Sequence, residues 1–514
     1  MKKNLQFLSL IAATLFAGNA MAQRYVTNSF TNVTVTPNIV YGQNYSVLTG
    51  APVMSDLKLD FYEPTGDTEM ARPLVIVLHT GSFLPKGLNQ SPTGARTDSS
   101  IVEMCKEFAK KGYVAAAVGY RAGWNPQGDQ DVRTGTILNA VYRGMQDTKN
   151  AVRYFRYMGA TSANTYKIDT NRIVLCGQGS GGYISLACGT LNKPSEILLL
   201  KFINQTTQMP YVIQQAVGDF DGFGGNPAYN NANNYPGYSS RVNMTTNYGG
   251  AMGDSSWLEA GEVPIVGMQG KLDPFAPYKT GGVYVPGTNP PLLVVEASGS
   301  YDVADRASRL GVNNVFKTPA FTDAYSTAAA SNSNGLTALF SFNGAANGSA
   351  PWEWWDPTDP FNANGLASNP FMSKARALLY IDTIQNFMVP RIARVLFPST
   401  GITNTFATEG NVSVYPNPAA DILNVRVEGL NGAAYAIEML DAQRRHSEIR
   451  TKEGLGKVYK VLVENVSKKS ADMMSGRNSQ NTVCVFPKGN LKKGDYVNVL
   501  ITSCTSGTLI GECV

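Results

Sequence analysis

Apolar residues recur along the chain with different periods, and the difference sorts the elements into kinds. Leu57-Lys58-Leu59-Asp60-Phe61 alternates apolar with polar, as a strand with one covered face does, and stops at the turn signal Glu63-Pro64-Thr65-Gly66-Asp67. Leu74 to Leu78 is continuously apolar instead, the mark of a strand covered on both faces of a largely parallel sheet. A helical segment follows at Ile101–Lys111, then a second buried strand at Tyr113–Val118. The series continues with a long helix near Ile137–Met158, a strand at Ile173–Cys176, a helix from Gly181 to Cys188, and strands at Val263–Met268 and Leu336–Phe342. This alternation predicts an α/β fold, a doubly wound sheet with right-handed crossovers, in which strands 74–78, 114–118, 173–176 and 263–268 lie adjacent and parallel. A last helix, Lys374–Leu396, closes the unit, and Pro390 is expected to kink or end it.

Between Asp219 and Tyr248 the chain is crowded with Asn, Gly and Tyr, which reads as an ordered surface loop or a lid. Residues 398–411 are small and polar, a linker composition. From Val412 onward short alternating segments such as Ile422–Val427 and Tyr496–Ile501 predict an all-β sandwich. The expected organisation is therefore an α/β domain over 24–397, a linker over 398–411 and a β domain over 412–514.

Composition narrows the function classes. With 43% hydrophobic and 16% charged residues the chain is globular, which excludes a collagen, a coiled coil or a disordered tail. The formal charge is +5, but residues 23–412 hold 28 basic and 28 acidic side chains. Such neutrality argues against a nucleic-acid or anionic-membrane partner. The start, Met1-Lys2-Lys3, then the apolar run Leu5–Ala17 and Ala20-Met21-Ala22, reads as a secretory signal peptide over residues 1–22. Export through the periplasm to a secreted or outer-surface location is expected, without a transmembrane segment. Three cysteines fall in each region (Cys105, Cys176 and Cys188; Cys484, Cys504 and Cys513), so at most one bridge per domain is expected, with Cys176 as a buried apolar residue.

Three strand ends carry the candidate chemistry: His79-Thr80-Gly81-Ser82-Phe83, Gly177-Gln178-Gly179-Ser180-Gly181-Gly182, and Gly270-Lys271-Leu272-Asp273-Pro274. Open α/β sheets place ligands at such carboxyl ends. With these motifs the chain resembles the α/β-hydrolase superfamily over roughly residues 57–390, particularly carboxylesterases and lipases of the hormone-sensitive-lipase and feruloyl-esterase-like kind. The resemblance implies an oxyanion loop at His79, Thr80, Gly81 and Ser82, a nucleophile elbow at 177–181, an acid at Asp273 and a base near the end of the domain.

Register then decides the chemistry. An elbow needs glycines two residues either side of the nucleophile. Gly177 and Gly181 put the nucleophile position at Gly179, which has no side chain, and leave Ser180 as a helix-start hydroxyl. Sliding by one would put Ser180 at the tip and crowd Gln178 into a glycine position. The whole chain has two histidines, His79 in the oxyanion loop and His446 in the β region. Neither is placed as a base, and Asn347 or Ser349 is expected at the base position after strand 336–342. His79 is read as holding loop carbonyls. Trp352, Trp354, Trp355 and Trp124, with the Tyr-rich 229–248 stretch, form either an aromatic platform beside the cleft or core packing. Gln178, Asn347 and Ser349 complete the candidate cleft, and no metal or cofactor is expected.

The reading reached is a catalytically degenerate hydrolase that binds a small ester, glycan or lipid, or a surface partner. An active serine carboxylesterase using Ser180 and Asp273, and a structural cell-surface protein, stand as alternatives. If the register holds, Gly179→Ser together with a His at 347 or 349 is expected to give weak ester hydrolysis.

Val414-Tyr415-Pro416-Asn417-Pro418 through Val425, with Leu491–Val497, resembles the sorting domain of the type IX secretion system of Bacteroidota. The resemblance implies export by the type IX machinery. The cysteines and the ending Gly511-Glu512-Cys513-Val514, without the usual basic end, depart from that pattern.

Overall fold

Continuous apolar runs can be buried on both faces only if something covers each face, and the structure supplies the covers. It is a computed structural model that describes residues 24–344, 348–398, 411–415, 424–428 and 454–514, apart from 468–469, 471, 481 and 506–507. The expected signal peptide, most of the expected linker, Asn347 and His446 lie outside the described residues. The chain divides into two units, Met1–Thr400 and Gly401–Val514.

The first unit is built on an eight-stranded sheet. Its strands are β1 (Val33–Ser46), β2 (Val53–Pro64), β3 (Arg72–Leu78), β4 (Val114–Val118), β5 (Ile168–Gln178), β6 (Met244–Tyr248), β7 (Ile265–Gly270) and β10 (Leu339–Phe342), in the order β1-β2-β4-β3-β5-β6-β7-β10. β1 and β2 pair antiparallel, as do β2 and β4, and every pair from β4 to β10 is parallel. β8 (Gly281–Tyr284) and β9 (Leu293–Ala297) form a separate antiparallel ribbon. The covering helices are α1 (Ser99–Lys110), α2 (Gln130–Thr161), α3 (Ser180–Thr190), α4 (Ser300–Arg309), α5 (Ala324–Asn332) and α6 (Lys374–Leu396).

Side chains alternate between two cores because strand residues point to opposite faces in turn. Val75, Val77, Ala115, Ala117, Val174 and Cys176 join one cluster with Phe108 of α1 and Phe387 of α6. Leu74, Ile76, Leu78, Val114, Ile173 and Leu175 join another with Val152 and Phe155 of α2. One expectation needs correction: β6 stands between β5 and β7, so strands 173–176 and 263–268 are not neighbours. Its sequence, Met-Thr-Thr-Asn-Tyr, carries no apolar run, yet all five residues are buried. Asn247 is satisfied internally, its amide donating to Gly250 O and Ser300 Oγ at 3.0 Å each, whereas the buried hydroxyls of Thr245 and Tyr248 make no hydrogen bond among the described residues. Of the two outcomes expected at Pro390, ending the helix is not observed: α6 carries it inside its length and runs on to Leu396.

The Asn- and Tyr-rich segment before β6 packs along the edge of the sheet. Asn230 is buried and bonded to the Asn44 amide, Asn234 donates to Gln43 O, and the Arg153 guanidinium lies 4.5 Å from the Phe223 ring centre. These contacts hold it to β1 and α2 as an ordered surface segment. All six cysteines are free thiols.

The second unit is a closed barrel, not a sandwich. β13 (Val458–Val466), β14 (Met473–Asn478), β15 (Val483–Pro487), β16 (Tyr496–Cys504) and β17 (Thr508–Cys513) run in the order β13-β14-β15-β17-β16, and β16 closes back on β13. Its core is Val461, Val463, Met474, Cys484, Phe486, Val499, Ile501 and Leu509. Alternation along a strand looks the same in a barrel and in a sandwich, since each has one inner face, so the pattern left the architecture open. β11 (Asn411–Tyr415) and β12 (Asn424–Glu428) form a separate antiparallel pair.

Candidate functional site

β5 ends at Gln178 and α3 begins at Ser180, so one residue, Gly179, makes the whole turn. Gly179 takes φ +54° and ψ −118°, a conformation that L-residues rarely adopt. The turn is tight enough that its flanking glycines have no room for a methyl group. A Cβ on Gly181 would sit 2.7 Å from His79 O, and one on Gly177 would sit 2.7 Å from Gly182 N. The strained tip is therefore Gly179, with Gly177 and Gly181 two residues to either side.

Ser180 lies beyond the tip as the first residue of α3 and is buried. Its Oγ is 2.9 Å from Tyr120 OH, which donates to His79 O at 2.9 Å. Burial pushes the Tyr120 phenol well above its ordinary value, so it cannot take a proton from serine near neutral pH. His79 is buried, donates from Nδ1 to Thr80 O at 2.5 Å, and stacks on the Tyr120 ring with centres 4.5 Å apart. Burial lowers its pKa to about 4, which keeps the imidazole neutral, and both neighbours hold it within the loop.

The loop after β3, expected as the oxyanion loop, is pinned from behind. Gly81, Ser82 and Phe83 all take positive φ, Trp124 Nε1 donates to Ser82 O at 2.7 Å, and Gly123 N donates to Phe83 O at 2.8 Å. Trp124 thus braces the loop.

Asp273 follows β7. Its Oδ1 accepts from Phe275 N at 2.8 Å and Ala276 N at 3.2 Å, and its Oδ2 accepts from Ser349 Oγ at 2.8 Å. Burial raises its pKa to about 6 despite those donors. A serine hydroxyl therefore meets the carboxylate from the segment after β10. Ser349 also lines a small pocket of about 20 Å³ with Gly270, Phe342, Phe371, Arg376 and Tyr380.

The aromatic platform is not formed. Trp352 is 1% exposed and packs edge-on against Tyr248, and Trp355 is 8% exposed, its Nε1 donating to Asn362 Oδ1 at 2.9 Å. Trp354 is partly buried against the same core. These rings are packing, driven inside by the large apolar area each removes from water. Gln178 is not a cleft residue either: it is buried, accepts from Ser100 Oγ at 3.1 Å, and donates from Nε2 to Glu353 Oε1.

That last contact exposes a group the sequence did not single out. Glu353 is buried among tryptophans, with Thr93 Oγ1 donating to its Oε2 at 3.2 Å. Burial, aided by Asp98 and Asp273, raises its pKa to about 8. Asp98 accepts from Gly94 N and Ala95 N at 2.6 and 2.9 Å and is raised to about 6, chiefly by burial. A charged residue inside the aromatic run Trp352-Glu353-Trp354-Trp355 was the available signal, since a carboxyl carried by buried neighbours must be buried and bonded too. No group of three or more metal-ligating side chains occurs among the described residues.

Residues 59–298 match the BD-FAE family model, and residues 452–514 match the TRAM domain. A stretch of 77 residues is 61% identical to the tRNA-2-methylthio-N(6)-dimethylallyladenosine synthase of Flavobacterium johnsoniae, and 75 residues are 57% identical to that of Amoebophilus asiaticus. Each match covers 15% of this chain and 16% or 15% of the relative, so the chain spans about one sixth of the length of the curated proteins it matches. Among solved structures, a truncated carbohydrate esterase from gut microbiota aligns at TM-score 0.35 and 14% identity, covering 71% of this chain and 98% of that one. Thermogutta terrifontis esterase 2 phosphorylated by paraoxon aligns at TM-score 0.33 and 17% identity, covering 66% and 92%. The TRAM match corrects the expectation of a sorting domain running from 412 to the end: Leu491–Val497 leads into β16 of the barrel. The sheet order, the turn at Gly179 and the BD-FAE match identify the first unit as an esterase-like α/β-hydrolase fold.

Proposed function

We propose that the first unit is an esterase-like fold that binds its ligand, a small ester, glycan or lipid or a surface partner, without hydrolysing it. The observation that carries this is the Ser349 hydroxyl on Asp273 Oδ2 at 2.8 Å, where a triad acid would hold its base. A serine hydroxyl cannot take up a nucleophile's proton at neutral pH. The tip at Gly179 supports the same reading, because it offers no oxygen to attack a carbonyl. Ser180 offers no escape, since its Oγ faces a phenol and not a base. The full chain is expected to leave p-nitrophenyl acetate at its background rate, and Ser180→Ala to change nothing. Turnover that disappears in Ser180→Ala would restore the serine esterase.

A second reading concerns the barrel alone. It runs against the expectation, made for the whole protein, of no nucleic-acid partner. Residues 454–514 carry eight basic and four acidic side chains. Lys457, Lys460, Lys488, Lys492 and Lys493 are exposed, and Lys460 Nζ lies 5.1 Å from the ring centre of Tyr496, itself 64% exposed. Five-stranded barrels bind oligonucleotides on their strand faces and loops, using stacking rings and cations. Together with the TRAM match and the tRNA-modifying relatives, this supports an RNA-contacting module. Filter binding of unmodified tRNA to the full chain is expected to weaken about tenfold in Lys492→Glu/Lys493→Glu; equal binding would count against it.

Export by the type IX machinery remains part of the proposal for residues 1–22 and 412–425, supported by the signal-like start and the Tyr415-Pro416-Asn417-Pro418 motif. Appearance of the chain in the medium of a type IX-competent host, and its retention in a type IX-deficient one, is the test.

A further inference from the structure

Thr80, in the loop after β3, stands where the resembled oxyanion loops carry glycine, and its side chain leans over the elbow. A Cβ built on Gly179 would overlap Thr80 Oγ1 and lie 2.9 Å from Thr80 Cβ. Rotation about χ1 would carry Oγ1 away but leaves Cβ where the backbone holds it, so no rotamer of Thr80 clears the space. The backbone there has little freedom. Thr80 O holds His79 Nδ1, and the following Gly81 packs so closely that a Cβ on it would sit 2.9 Å from Gly94 Cα.

We propose that Thr80 is a blocking residue of the elbow: it occupies the room of the missing nucleophile and crowds a side chain at position 179 beyond the strain that the positive φ already imposes there. This rests on the reading of the unit as a fold that does not hydrolyse. The inactive state is then held at three positions, Gly179, Ser349 and Thr80, and repairing the first two leaves the third in the way. It also changes what restoration requires, since Gly179→Ser with Ser349→His is blocked while Thr80 remains.

A stability cycle on the full chain tests the contact without any activity. Gly179→Ala is expected to lower the melting temperature by several degrees in the native background and by less in a Thr80→Gly background, where the strain of the positive φ remains and the clash does not. Equal shifts in the two backgrounds would overturn the proposal. A kinetic comparison reads the same coupling. Gly179→Ser/Ser349→His/Thr80→Gly is expected to hydrolyse p-nitrophenyl acetate at least tenfold faster than Gly179→Ser/Ser349→His. In that reaction the introduced hydroxyl oxygen bonds to the acetyl carbon as its proton passes to the introduced imidazole and p-nitrophenolate leaves. The imidazolium gives that proton to solvent; water then adds to the acyl carbon, passing one proton to the imidazole, which delivers it to the departing serine oxygen as acetic acid is released. Equal rates in the two variants would overturn the role of Thr80. Hydrolysis by the unmodified chain that is lost in Ser180→Ala would overturn the underlying reading instead, leaving the stability cycle to judge Thr80 on its own.

Discussion

Glu353 shows how a single buried carboxyl ties stability to pH. Its folded pKa is about 8 against 4.5 for the free side chain, and that of Asp98 is about 6 against 3.8. Between those values the folded chain holds protons that the unfolded chain has released. Stability from these groups therefore falls as pH rises from about 4 to about 8. Glu353→Gln keeps an acceptor for Gln178 Nε2 and removes the titration. The urea midpoint of the native chain is expected to drop more between pH 5 and pH 8 than that of Glu353→Gln. Parallel drops would show that Glu353 is already ionised at pH 5. At this scale the sequence was most informative where chemistry demands a residue type. Gly177 and Gly181 could be placed from spacing alone, because only glycine fits so close to backbone. Glu353 could not, since a glutamate's burial depends on what the fold lays against it.

Elements were legible in proportion to their hydrophobic period. β3, β4 and α6 lie where the pattern put them, whereas α2 reaches beyond its expected ends to Gln130 and Thr161. Its start is set by Asp129, whose side chain accepts from Val132 N at 2.9 Å, a local cap outside the apolar period. The joint between β5 and α3 is the most demanding element in the unit. A methyl group at 181 would press on the carbonyls of Leu78 and His79, which cannot turn aside without breaking the β3–β5 pairing. Gly181→Ala is accordingly expected to cost ~3 kcal/mol in chemical denaturation. A loss below ~1 kcal/mol would mean that β3 can shift, and that the elbow is looser than its geometry implies.

At the scale of the whole molecule the chain joins a neutral α/β unit to a basic barrel. If the barrel contacts RNA through its lysines, binding should weaken steeply with salt, by ~0.7 in log K per decade of salt for each phosphate neutralised on a single strand. A salt-independent affinity would count against a phosphate-reading surface. What the sequence by itself determined was the class of the first unit, because buried parallel strands must be apolar on both faces and must alternate with helices. It also determined the register of the elbow, because glycine is forced there by contact. Only the tertiary structure decided that polar β6 enters the sheet, that the tryptophans point inward, that Ser349 meets Asp273, and that Thr80 fills the space above Gly179. Each of these depends on which distant segments are brought together, and no local period records that. The closure of the C-terminal strands into a barrel belongs with them, since an inner face alternating with an outer one is common to barrel and sandwich, and only the pairing of β16 with β13 tells them apart.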